Sequence, residues 1–165
     1  MNIVDEIMEL LTEDSGAMLP RPATDDDIIQ CQKMLVDLGL EVLPQGYIDF
    51  LKINNGLAWN GIIFYSTDIV TEKDNPHSFK LMDLVTMNDE FNDKFELDEK
   101  VLLGIADDDY YTYNIENQKY EILEFTSRAL MEEFDTFEDL FFHTVGGRLG
   151  LNEEPDTDGK YDAWV

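Results

Sequence analysis

The chain has 165 residues, with 37 acidic against 11 basic side chains, a formal net charge of −26, 44% apolar and 12% aromatic content. High charge marks disorder only when hydrophobicity is also low, so this composition implies a folded domain with a strongly negative surface. Such a surface repels nucleic acid and anionic membranes and attracts basic partners.

The length suits one domain, residues 1–165, with a hydrophobic core of its own. A single cysteine, Cys31, excludes an intramolecular disulfide, and its place in a helical pattern reads as a small buried apolar residue. No apolar run approaches the roughly 18 residues that span a bilayer. Met1 to Glu6 lack the basic start and apolar stretch of a secretory signal, so a cytoplasmic protein is expected.

The first predicted element is a short amphipathic helix with Ile3, Ile7 and Leu10 at helical spacing, stopped by Ser15-Gly16. Pro20 and Pro22 then force an extended connection. A second helix opens at Thr24, a capping residue, with Asp25, Asp26 and Asp27 where the helix dipole favours negative charge. Successive residues of a first turn point in different directions, so these acids read as capping residues and no metal site is expected. Ile28, Cys31, Leu35 and Leu38 form the buried stripe, and Gly39 ends it. Leu43-Pro44 begins a third helix with Tyr47, Phe50 and Leu51 facing inward, closed by Asn54-Asn55-Gly56. Asn60-Gly61 turns the chain into the strand Ile62 to Tyr65. Trp59 lies between helix and strand, either as a core residue or as an anchor for a partner.

Residues 66–80 read as a loop containing Pro76 and His77, and residues 81–95 as a short helix with Leu81, Leu84, Val85 and Asn88 on one side. His77 and His143 have no cysteine near them and read as structural or surface residues. From Val101 the pattern is β: Val101 to Ala106, a turn at Asp107-Asp108-Asp109, Tyr110 to Tyr113, a turn over Asn114 to Gln118, and Lys119 to Phe125. Connections this short make an antiparallel meander. In the last of these strands Tyr120, Ile122 and Glu124 face one way and Glu121, Leu123 and Phe125 the other. A final helix starts at the capping residue Thr136, buries Phe137, Leu140, Phe141 and Val145, and ends at Gly146-Gly147. Residues 147–165 read as a polar extension held by Tyr161 and Trp164. Within it, Glu154 to Gly159 has the look of a calcium loop, but Val165 stands where that loop needs a bidentate acid, so it reads as a turn.

The order of these elements resembles the SUKH superfamily, which contains cell-wall-assembly and glucan-synthesis regulators and many bacterial immunity proteins. Pro22-Ala23-Thr24-Asp25-Asp26-Asp27-Ile28 resembles its opening. Leu38-Gly39, Leu43-Pro44, Tyr47, Phe50-Leu51 and Asn55-Gly56 follow its next run, and Gly61 with the following strand fits after that. Leu103 to Ala106 and Tyr111 to Asn114 resemble its middle strands, and Thr136 to Leu140 the start of its last helix. The similarity covers about residues 20–146. The chain departs from the pattern at Gln32 and Lys33 and at the all-aspartate turn, and nothing after residue 147 matches.

The expected fold is α+β: an antiparallel sheet of about four to six strands flanked by helices, SUKH-like. The sequence carries no nucleophile, base or ligand constellation, so a non-enzymatic binding protein without cofactor or metal is expected, and the resemblance implies an immunity protein that neutralises a basic toxin such as a nuclease. The alternative it implies is a regulatory scaffold that docks cellular proteins. The candidate contact residues combine acids with aromatics: Asp107, Asp108, Asp109 and Tyr110; Glu132, Glu133, Phe134 and Asp135, leading into the last helix; and Trp59.

Overall fold

The computed structural model describes residues 2–40, 43–70, 80–95 and 100–151. Helix starts are encoded in side chains that replace missing backbone partners. Thr24 accepts from the Asp27 N–H at 3.0 Å, while the Asp27 carboxylate accepts from the Thr24 N–H at 2.9 Å. This reciprocal cap opens helix α2, Asp25–Asp37. Asn2 and Asp5 form the same arrangement at α1, Ile3–Thr12. Helix α3, Gln45–Ile53, starts one residue past Pro44, which is extended. Helix α4 spans Leu84–Phe95. Thr136 caps α5, Phe137–Phe141, by accepting from the Asp139 N–H at 3.1 Å.

Among the described residues the strands form one six-stranded antiparallel sheet in sequence order. They are β1 Leu57–Trp59, β2 Ile62–Phe64, β3 Lys100–Ile105, β4 Asp109–Asn114, β5 Lys119–Glu124 and β6 Leu130–Phe134. The fold is therefore α+β, with the meander expected for residues 101–125. Asn60 and Gly61 both take positive φ, 48° and 79°. That pair of conformations makes the tight hairpin between β1 and β2, whose twist matches that of the strands.

One face of the sheet carries an aromatic core. The Phe137 ring lies 5.3 Å from the rings of Tyr47 and Phe50 and 5.5 Å from that of Phe64. Phe64 stacks on Tyr111 at 5.2 Å. The Tyr47 hydroxyl donates to the Tyr65 carbonyl at 2.5 Å, with the Leu103 carbonyl 3.1 Å away, joining α3 to the middle of the sheet. Successive strand residues face opposite ways, so Tyr110 faces away from Tyr111 and meets Phe91 of α4 at 5.0 Å. Asn88 of α4 works on that second face as a backbone substitute. Its amide donates to the Leu84 and Leu102 carbonyls and its oxygen accepts from the Leu102 N–H at 2.7 Å.

The structure corrects several expectations. Helix α1 buries Val4, Ile7, Met8 and Leu11, while Leu10 is exposed. Leu38, the C-cap of α2, also lies outside the core, and Ile29, Met34 and Val36 of that helix are exposed. The last helix does not stop at Gly146-Gly147. A π-helical turn, Phe142–Gly146, follows α5, the helix runs on through Arg148, and Gly150 with φ of 79° turns the chain. Leu81 stands before α4, in a bridge to Val70. Two strands, β1 and β6, were not anticipated. His77 and the segment Glu154 to Val165 lie outside the described residues. No described helix is long and apolar enough to cross a membrane.

Candidate functional site

The two acidic segments occupy different kinds of structure. Asp107 and Asp108 form the exposed apex of the β3–β4 turn, closed by the Ala106 N–H donating to the Asp109 carbonyl at 2.9 Å. The Phe125 N–H donates to the Asp108 carbonyl at 2.9 Å, which ties this turn to the β5–β6 loop. Asp109 opens β4 opposite Glu124 and is partly buried. Burial pushes its carboxyl up, Asp108 adds to this, and Arg148 and His143 act the other way. Tyr110 is buried, its ring stacked on Phe125 at 4.9 Å. It is a packing residue under the turn rather than an exposed anchor.

Most of the second segment, Glu132 to Phe134, lies in β6, and Asp135 and Thr136 lead from it into α5. Strand β6 is the outermost, and Leu130 to Glu133 are exposed. Its register against β5 slips at Met131: Ile122 faces Glu132, but Leu123 faces Leu130. Such a slip is a β-bulge, with one extra residue on the outer strand. On one face of β6 the His143 imidazole lies 3.0 Å from the Glu132 carboxylate and its ring 5.3 Å from that of Phe134. Phe134 is half-buried, and Asp135 forms an ion pair with Lys119.

The final helix is what relates the two segments. His143 contacts Glu132 and also influences Asp109, and Arg148 reaches back to the β1–β2 turn, where it donates to the Asn60 carbonyl. A Cβ on Gly61 would come within 3.0 Å of Arg148 Nη1 and 3.4 Å of both Asp107 carboxylate oxygens. Asp107 to Asp109 and Glu132 thus flank one helix, whereas Glu133 alternates to the opposite sheet face with Glu121. Trp59 is only 8% exposed. Its indole N–H donates to the Asp14 carboxylate at 2.8 Å and, with the Gly16 N–H, lowers that group's pKa. This makes the ring a packed residue at the β1 edge rather than an exposed anchor.

Two features escaped the sequence reading. Glu121, only 2% exposed, is paired with Lys100 and lies 3.3 Å from Thr112 Oγ1 and 3.4 Å from Asn114 Nδ2. Their cross-strand register brings these residues together, and register is invisible before the fold is known. A cavity of about 410 Å³ lies where α3, α5 and the β4–β5 turn meet, walled by Gln45, Asp49, Tyr113, Tyr120, Asp135 and Glu138. Its floor is tight: a Cβ on Gly46 would approach the Tyr120 hydroxyl to 2.8 Å. Burial pushes the Tyr120 phenol well up, partly offset by the Gly46 and Tyr47 N–H groups.

Chemically, these surfaces offer carboxylates to a cation. Burial, aided by Asp83 and Asp68, pushes the Cys31 thiol up to about 12, so it is not a thiolate near neutrality. Among the described residues no three of His, Cys, Asp and Glu are grouped to hold a metal ion. The residues Asp25 to Asp27 serve α2 and its salt bridges to Lys52 and Arg21. No protein-family model and no curated protein matches this chain.

Proposed function

We propose that this is a SUKH-like immunity protein, acting by binding rather than by catalysis and neutralising a basic toxin such as a nuclease. The observation that carries this reading is the distribution of counter-charge. Among the described residues, Arg21, Lys52, Lys100 and Lys119 are paired with acids away from the β3–β4 turn. Asp107, Asp108 and Glu133 are exposed and take part in no ion pair among the described residues. They stand on a turn and on a sheet edge that no other described strand covers, where a partner has access.

A nuclease must present a cationic groove to phosphate, and carboxylates on a rigid sheet can fill that groove in place of nucleic acid. Complementary fields raise association rates by roughly 10- to 1,000-fold, which suits a protein that must act before damage accumulates. The test is capture of proteins encoded beside this one, repeated across ionic strength. Capture of a cationic protein at low salt, weakened by salt, is expected. Failure to retain any cationic protein at low salt overturns the reading.

A further inference from the structure

We propose that the outer edge of β6 takes up an extended, basic segment of the partner as a seventh strand. This rests on the binding role proposed above and names how the partner is held. The two edges of the sheet differ. At β1 the outer edge is already paired: Met18 and Ala58 exchange N–H to carbonyl bonds of 2.8 and 3.1 Å. At β6, among the described residues, no strand lies beyond it. Alternate N–H and C=O groups of an outermost strand face outward, a template for another chain. Leu130 and Met131 remain 53% and 59% exposed there.

The occupant follows from charge. Glu132 and Glu133 sit side by side on β6, one on each face. A second copy of this chain added to this edge would bring like charges together. A segment with lysine or arginine on both faces meets the two glutamates with opposite charge and loses no backbone bond. Past Phe134 such a segment reaches the wall of the 410 Å³ cavity, where Asp135 is paired with Lys119 and Asp49 and Glu138 provide further carboxylates. Strand addition of this kind takes affinity from backbone bonds and selectivity from alternate side chains.

The probe is an acetylated peptide of alternating lysine and valine, with a control N-methylated at successive central residues, which blocks both edges and keeps the charge. Hydrogen exchange of β6 amides is read residue by residue on the full chain, and peptide affinity is measured alongside. The lysine peptide is expected to slow the β6 amides that face away from β5 by about tenfold or more, and methylation to weaken binding by about tenfold. Joint reversal of Glu132→Lys and Glu133→Lys, both exposed, is expected to abolish binding of the lysine peptide and permit a glutamate–valine one. Equal binding of both lysine peptides overturns strand addition and leaves docking by charge intact. So does salt-sensitive capture of a cationic protein with unchanged β6 exchange. Protection of the outward amides in the free protein, or dimers formed through them, also overturns it. No binding by any cationic peptide or protein overturns both proposals.

Discussion

The two edges of the sheet have been built for opposite ends. At β1 the edge is closed: Met18 pairs with it, Trp59 is packed into the core, and Asp14 satisfies the indole N–H. At β6 the strand puts apolar and acidic side chains into water and buries almost nothing. Closure at β1 serves stability, because the Ala58 N–H and carbonyl are paired with Met18 and the Trp59 indole N–H with Asp14. Openness at β6 adds little to stability and, among the described residues, leaves the outer edge of the strand without a neighbouring strand, together with negative charge. A fold that exposes one edge while closing the other separates the part that holds it together from a part whose side chains stand in water.

The largest test of this contrast is a matched pair of truncations. Trp59→Ala is expected to lower unfolding stability by about 3–5 kcal/mol, the range for emptying a large core site. Met131→Ala on the open edge should stay within about 0.5 kcal/mol. Urea midpoints for the two, measured together, would break the comparison if they shifted alike. Next in size is Tyr47→Phe, which removes the buried hydroxyl between α3 and the Tyr65 and Leu103 carbonyls. A loss of about 1–3 kcal/mol is expected, and an unchanged midpoint would show that link to be idle.

A smaller effect sharpens the account of the closed edge. The indole and the Gly16 N–H depress the folded-state pKa of Asp14. The stability this provides is present above the ordinary value near 3.8 and is lost as pH falls through the lowered one. Trp59→Phe should therefore differ from wild type more at neutral pH than in strong acid, as read by denaturation across pH. Asp109 carries the opposite sign. Its folded pKa is raised, so charging it disfavours the fold as pH rises through that value. Asp109→Asn is expected to raise neutral-pH stability by less than about 0.5 kcal/mol, solvent screening keeping the effect small, with the gain vanishing in acid.

Much of the helical framework was legible because caps are local chemistry. Thr24, Thr136 and the inward stripe of Tyr47, Phe50 and Leu51 depend on residues a few positions apart. The strands with a buried face were legible for the same reason. β6 was not, because an exposed edge strand needs no alternation: Leu130-Met131-Glu132-Glu133-Phe134 shows none. β1 was hidden by its length, three residues ending in a tryptophan that could have served either role. The acids near the β3–β4 turn were found by composition, but their relation to Glu132 through His143 and the last helix required the fold. The Lys100–Glu121 pair depended on register in the same way.

The central claim is that the acids of the β3–β4 turn and of β6 steer a basic partner to this end of the molecule. The most direct measurement is the association rate of the captured partner across ionic strength, for wild type, for Asp107, Asp108 and Asp109 reversed to lysine, and for Glu132 and Glu133 reversed to lysine. The wild-type rate should fall with salt, and each reversal should slow low-salt association by about tenfold and flatten that dependence while leaving the unfolding midpoint nearly unchanged. A wild-type rate indifferent to salt, or reversals that associate as fast as wild type at low salt, would contradict it.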